Sequence, residues 1–337
     1  MNKYKILIST PAIVGLNPGL TGGEMRFIEL MREWKSQGHE LHMLTSIGGK
    51  NLCESLGVTA DHYHIVSTSS KETRWAFIAR TFKILFGLLP DMNHQSFDIL
   101  YSPSEQMYDV IPAYRLKKKI GHKAKWATVV HWLPPFPPWK RKSSTAINST
   151  LFFISERIGV RLARRKSDVL LPVSTSTRNQ LVNVFGESPK FRAVDCGVHL
   201  DEIESITREV KYKKFDAVFM KRLQAVKGIF DLIDIWEIVV KKKSDAKLAI
   251  IGHGIDKEKA IQMVKEKKLE KNIEFLGIIY DMKEKFTKIA ESRLFVLPTY
   301  EENWAIVIGE AMASGVPVIS YALPIYAIYH ISHISLD

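Results

Sequence analysis

Apolar positions follow two alternating rhythms along the chain. Short, nearly continuous apolar runs at 5–10, 40–45, 98–101, 127–131 and 168–172 predict buried strands. Between them, 23–37, 72–89, 105–118 and 150–165 carry apolar residues at helical spacing. The alternation resumes with strands predicted at 217–220, 248–251, 273–276, 294–297 and 316–319. Helices are predicted at 228–242, 257–267, 282–291 and 305–313. Strand–helix alternation with unbroken apolar strands predicts α/β architecture, with parallel sheets covered by helices on both faces. Two doubly wound units are expected, 1–197 and 198–337, joined through 197–214 and facing across a cleft at their strand ends.

Charge sharpens the division. The chain of 337 residues has a formal net charge of +12. Residues 1–200 hold 27 Lys and Arg against 15 Asp and Glu, whereas 201–337 hold 21 of each. The excess lies in Arg115–Lys119, Lys123, Lys125, Lys140–Lys142 and Arg157–Lys166. The first unit is therefore expected to meet an anionic partner. The amphipathic basic stretch 152–166 suits an anionic lipid surface as well as an ordinary solvated face. Trp75, Trp126, Trp132 and Trp139 lie in the same half, but no nucleic-acid motif accompanies them, so nucleic acid is not an expected partner. Cys53 and Cys196 make no disulfide framework and fit a reducing compartment. No apolar run reaches the roughly 18 residues of a membrane span. A cytoplasmic protein is expected, peripheral at the inner membrane face if the lipid reading holds.

The chemistry concentrates at predicted strand ends. Glu302 and Glu310 frame a helix start that includes Asn303, Trp304, Ala305 and Ile306. Free N–H groups at a helix start favour an anion, and a carboxylate accepts bonds from neighbouring sugar hydroxyls. Phosphate between two sugars is the shape of a nucleotide-diphosphate sugar. Arg222 and Lys227-Gly228 follow another strand and could clamp a diphosphate, or could form a solvated basic turn. Gly22-Gly23 at a helix start and Gly252 in a strand-end turn would let backbone approach phosphate, and each alone is also an ordinary turn. His131 closes a strand before the proline-rich loop 133–142, where a lone histidine is more often a structural hydrogen-bonding group than a catalytic one. No Asp-x-Asp occurs, so neither a metal nor another cofactor is expected, and Arg222 and Lys227 would neutralise the diphosphate.

Together these pieces resemble the family-4 retaining glycosyltransferases, whose fold is GT-B. The resemblance rests on Gly22-Gly23, Gly38-His39, His131, Pro172-Val-Ser174, Cys196-Gly-Val-His199, Arg222, Lys227-Gly228, Gly252-His-Gly254, Gly277 and the segment from Glu302 to Pro317. It implies that Glu310 binds the nucleotide ribose and Glu302 orients the donor sugar. Arg222 and Lys227 would neutralise the leaving diphosphate, Gly22-Gly23 would close on it from the other domain, and His131 would lie beside the transferred sugar. The reaction implied moves a hexose, with retention, from a nucleotide-diphosphate sugar to a glycan or lipid-linked acceptor.

Three departures from the family pattern accompany it. Asn303-Trp304-Ala305 stands where Gly-aromatic-Gly is common, and Lys221 replaces a common glycine. Only 27 residues follow Glu310, so the second domain is expected to be truncated. The alternatives are a truncated, non-catalytic GT-B protein that binds a nucleotide or partner, and a GT-B nucleotide-sugar epimerase.

Overall fold

The computed structural model describes residues 2–11, 22–68, 74–92, 95–134, 136–137, 146–302 and 304–323. They form two compact units, Met1–Asp195 and Cys196–Asp337. The division falls two residues before the expected one, so Cys196 and Gly197 go with the second unit.

The first unit holds a six-stranded, all-parallel sheet of β1 (Lys5–Thr10), β2 (Glu40–Ser46), β3 (His62–Ser67), β4 (Ile99–Ser102), β5 (Lys125–Val130) and β6 (Val169–Pro172). Its order is β3-β2-β1-β4-β5-β6. The reversal of strand order lies between β1 and β4. The connections carry α1 (Gly22–Ser36), α2 (Ile47–Ser55), α3 (Arg74–Phe86), α4 (Met107–Ile120), α5 (Ala146–Lys166) and α6 (Thr175–Phe185). The central strands are buried because their runs are apolar on both faces, as in Ile6, Leu7 and Ile8 of β1. Helix starts are fixed by side chains: Ser46 accepts the Gly49 N–H at 3.1 Å, and Ser174 accepts the Thr177 N–H at 3.0 Å.

The second unit holds a five-stranded parallel sheet of β7 (Phe215–Met220), β8 (Leu248–Ile251), β9 (Ile273–Gly277), β10 (Ser292–Leu297) and β11 (Val318–Ser320). Its order is β11-β10-β7-β8-β9, so the reversal lies between β10 and β7. Helices α7 (Leu200–Thr207), α8 (Ile229–Lys242), α9 (Lys257–Glu266), α10 (Met282–Ala290) and α11 (Ile306–Ala313) complete it. Trp236, Phe219, Phe286 and Phe295 sit in one continuous core with the strand residues. Asp281 caps α10 by accepting the Glu284 N–H at 2.7 Å.

Several expectations need correction. The join at 197–214 contains α7, which packs against α10 and α11. The edge strand β3 and helices α2 and α6 were not among the expected elements. The helix expected from Glu105 begins at Met107, and β5 ends one residue before His131. The proline-rich stretch lies mostly outside the described residues, as does 324–337.

One feature of the first core is electrostatic. Helix α5 approaches the Glu105–Met107 turn so closely that a Cβ on Gly159 would stand 1.9 Å from the Glu105 carbonyl oxygen. The approach buries the Glu105 and Glu156 side chains. Glu105 accepts the His131 N–H at 3.0 Å, but neither Glu156 carboxyl oxygen has a hydrogen-bond partner among the described residues. The Arg157 Nε lies 3.8 Å from the Glu156 Oε2. Burial pushes the Glu105 carboxyl up to about 7. Burial, then the neighbouring Glu105 charge, pushes Glu156 up to about 8. A carboxyl whose folded pKa is raised costs stability as pH climbs from its unfolded value through its folded one. At about 1.4 kcal/mol per pKa unit the Glu156 cost reaches a few kcal/mol by pH 8. Glu156→Gln is therefore expected to melt higher than the parent near pH 8, with the gap closing toward about pH 5. Melting curves across that range check this, and a gap that ignores pH contradicts it.

Candidate functional site

The strand reversal between β7 and β10 marks where an open parallel sheet presents a crevice at its carboxyl ends. Chain leaving β7 supplies Lys221 and Arg222, and chain leaving β10 supplies Glu302. Lys221 Nζ stands 3.0 and 3.1 Å from the two Glu302 carboxylate oxygens. Lys227 Nζ donates to Glu302 Oε1 at 3.1 Å and also to the Glu301 carbonyl. The Glu302 side chain is only 6% exposed and those of Lys221 and Lys227 17% and 11%, so this is an ion cluster largely out of water.

Burial would raise the Glu302 carboxyl, but Lys221 and Lys227 outweigh it and hold the group below its ordinary value. Burial lowers the Lys227 ammonium, with Glu302 working against the shift. With Arg222, three cations stand against the carboxylates of Glu302 and Glu301, the latter also acting on Lys227, so the crevice keeps a surplus positive charge. Arg222 beside it is exposed and makes no hydrogen bond or ion pair among the described residues. An anion at this crevice would balance the surplus.

Close backbone packing fixes the cluster. Gly228 adopts φ +79°, and a Cβ there would stand 1.7 Å from the Pro298 carbonyl oxygen. Only glycine lets the turn leading into α8 sit against the loop that carries Glu302. Gly252, at φ +139°, has the same role against Lys221, whose carbonyl oxygen would lie 2.0 Å from a Cβ. The Leu223 N–H then bonds the His253 carbonyl at 3.0 Å, zipping the two strand-end turns together.

Helix α11 begins at Ile306, so its first N–H groups have no partner within the helix. Ala305 before it is in the left-handed region at φ +54°. Trp304, expected at the ligand, instead packs into the core, and its indole N–H donates to the Cys196 carbonyl at 2.8 Å. Its side chain thus anchors the loop, leaving its backbone for any ligand. Asn303 lies outside the described residues. Glu310 accepts from Lys285 Nζ at 2.8 Å through Oε1, while Oε2 has no hydrogen-bond partner among the described residues.

In the first unit, the reversal between β1 and β4 gathers a second group. Gly23, at the start of α1, sits tight against His131: a Cβ would lie 3.1 Å from Cε1 and Nε2, so the ring would have to give by a few tenths of an ångström. His131 Nε2 lies 2.8 Å from the Pro103 carbonyl oxygen, which fixes its proton on that nitrogen. Desolvation lowers the imidazole to about 4; the Pro103 bond opposes this and the Arg26 charge adds to it. His131 is thus neutral near pH 7, with Nδ1 as its accepting atom. Gly22 precedes Gly23 at the exposed first residue of the helix.

Lys221, Lys285 and Glu105 were not among the expected site residues. Lys221 was visible only as a departure at a glycine position. Lys285 and Glu105 carried no sequence signal, because their partners lie 25 and 26 residues away.

Residues 20–202 match the family described as Glycosyltransferase Family 4, and residues 202–332 match Glycosyl transferases group 1. The N-acetyl-alpha-D-glucosaminyl L-malate synthase of Bacillus anthracis is 24% identical over 313 residues, covering 90% of this chain and 76% of that protein. The poly(glycerol-phosphate) alpha-glucosyltransferase of Bacillus subtilis is 30% identical over 112 residues, covering 33% of this chain and 16% of that protein. An uncharacterised glycosyltransferase of Haemophilus influenzae is 28% identical over 168 residues, covering 43% and 47%. The chain thus aligns with less than half the length of these last two. Among solved structures, Alr3699/HepE of Anabaena in complex with UDP-glucose superposes with a TM-score of 0.69 at 16% identity, covering 98% of this chain and 83% of that one. WaaG, a glycosyltransferase involved in lipopolysaccharide biosynthesis, gives 0.65 at 13% identity, covering 96% and 83%. At such identities the likeness shows the fold, which is GT-B.

The left-handed Ala305 generates a stability prediction. A residue with a Cβ costs roughly 1–2 kcal/mol in that region, about what glycine and the lost buried methyl would cost elsewhere. Ala305→Gly is therefore expected to keep or slightly raise the melting temperature. Ala311→Gly, at a fully buried position inside α11, is expected to lower it by several degrees, roughly the shift for 1–2 kcal/mol. Equal losses at both positions, measured by calorimetry, would contradict the strain.

Proposed function

The chain belongs to glycosyltransferase family 4, and from that premise we propose that it transfers a hexose, with retention, from a nucleotide-diphosphate sugar to a glycan or lipid-linked acceptor. The observation that carries this reading is the positive surplus at the β7–β10 reversal, set beside the free N–H groups of α11. A diphosphate there would be met by Lys221, Lys227 and the exposed Arg222. The open Oε2 of Glu310 would accept from ribose hydroxyls, and Glu302 would accept from donor-sugar hydroxyls while the lysines keep it ionised.

Bond breaking leaves negative charge on the departing phosphate oxygen. Arg222 cannot lose its proton near neutral pH, so it would stabilise that charge throughout. The acceptor hydroxyl would attack from the face the phosphate leaves, giving its proton to the departing phosphate oxygen as the new glycosidic bond forms. In the first unit, the proposed roles are a hydrogen bond from a sugar hydroxyl to His131 Nδ1 and a phosphate approach at Gly22-Gly23. Because protein cations supply the charge balance, the reaction is proposed to need no divalent metal or other cofactor. Alr3699/HepE binds UDP-glucose, which makes a uridine nucleotide the first donor to try.

The acceptor side is assigned to the basic first unit, at the inner face of the cell membrane. Helix α5 exposes Leu151, Ile154 and Ile158 as well as Arg161, Arg165 and Lys166. An apolar and basic surface of this kind suits an anionic lipid interface. No helix among the described residues is long and apolar enough to cross a membrane.

Thermal unfolding with uridine, guanosine and adenosine diphosphates tests the donor site. A nucleotide at 100 times its dissociation constant adds about 2.7 kcal/mol, and one of the three is expected to raise the melting temperature by several degrees. Glu310→Ala should abolish the shift. Arg222→Ala should retain much of it while lowering turnover at least tenfold in a product assay. No shift with any nucleotide, or full activity in both variants, would overturn the proposal.

A further inference from the structure

A cluster outside this site sits at the opposite, amino-terminal ends of the first sheet. Lys5 pairs with Glu40 across β1 and β2, and His42 pairs with His62 across β2 and β3. Side chains alternate along strands, so Glu40 and His42 share one face of β2, and His62 and His64 share that face of β3. The two motifs, Glu40-Leu-His42 and His62-Tyr-His64, bring three imidazoles and a carboxylate together.

The donor atoms lie close enough together to reach one ion. His42 Nε2 lies 2.7 Å from Glu40 Oε1, and His62 Nε2 lies 3.8 Å from the same oxygen. Glu40, His42 and His62 each present one donor atom, all within 4.8 Å of one another. A tetrahedral ion about 2 Å from each donor would hold them roughly 3.3 Å apart, inside the observed spread. His42 stacks on His62 with centroids 4.4 Å apart and meets Phe97 edge-on, so the exposed His62 ring must turn out of the stack to aim its Nε2 at a shared ion. His42 Nδ1 lies 3.1 Å from His64 Nε2, the outer-sphere bond that aims a ligating imidazole through its other nitrogen. His42 is buried, while Glu40 and His62 are open to solvent, which leaves an entry path and a position for water.

We infer that Glu40, His42 and His62 form a binding site for a borderline divalent cation, Zn2+ being the ion their nitrogen and oxygen donors suit. Its effect is structural. It ties the half-buried edge strand β3 to β2, far along the strands from Gly23 and His131. Lys5 competes, with its ammonium 3.1 Å from Glu40 Oε1. Its Nζ also lies over the Phe97 ring, 5.7 Å from the centroid, and the second Glu40 oxygen stays available to it when an ion takes the first.

The test uses the tag-free full chain after chelator treatment. Cobalt(II) titration near neutral pH is expected to give one equivalent of visible d–d absorption, displaced by Zn2+. Zn2+ should raise the melting temperature by several degrees and slow amide exchange in 62–67. His62→Ala and Glu40→Gln change solvent-exposed side chains, and each should weaken binding at least tenfold. His199→Ala in the second unit should leave it unchanged. Equal binding by the parent and His62→Ala would mean adventitious coordination only. That result, or no absorption change in a parent that melts cooperatively, overturns the site.

Discussion

Glu302, Lys221 and Lys227 make the interaction on which the second unit's functional end depends. A carboxylate with so little exposure would ordinarily take up a proton, and two ammonium groups are what keep it charged. Removing either cation would leave buried charge less well compensated, a change that typically costs several kcal/mol. Each partner is in turn fixed by a backbone contact that tolerates no side chain. Gly252 lets the β8 turn lie against Lys221, and Gly228 lets the Lys227 turn lie against Pro298. The cluster thereby joins loops from β7 and β10 across the strand reversal. Charge, turn chemistry and topology converge on one crevice.

The two units solve the same problem with different chemistry. Each reverses strand order once, and each brings its glycines and polar groups to the carboxyl ends beside that reversal. The second unit gathers cations there. The first gathers a His131 imidazole kept unprotonated near pH 7, with Glu105 and Glu156 carboxyls raised by burial to about 7 and about 8. The first unit also carries a basic outer surface.

The central strands were legible because parallel strands buried on both faces leave unbroken apolar runs. Strand β3 was not, since His62-Tyr-His64 at a half-buried edge breaks any such run. Helix α2 escaped because Gly48 and Gly49 lower its intrinsic propensity, and burial of Leu52 and Cys53 holds it instead. Glu302, Glu310, Arg222 and Lys227 stood out by type and spacing. The pairing of Lys221 with Glu302 could not be read, because it joins residues 81 positions apart. Trp304 shows the reverse case: its position in the motif suggested a ligand contact, and its size sends it into the core.

Carbon-13 NMR of the glutamate side-chain carboxyls, with Glu302→Gln to assign the signal, tests this account most directly. Below the ordinary value of 4.5, the Glu302 midpoint would show a carboxylate held charged by its two lysines. A midpoint at or above 4.5 would mean that burial prevails over the lysines, and the ion cluster could not be what organises the site.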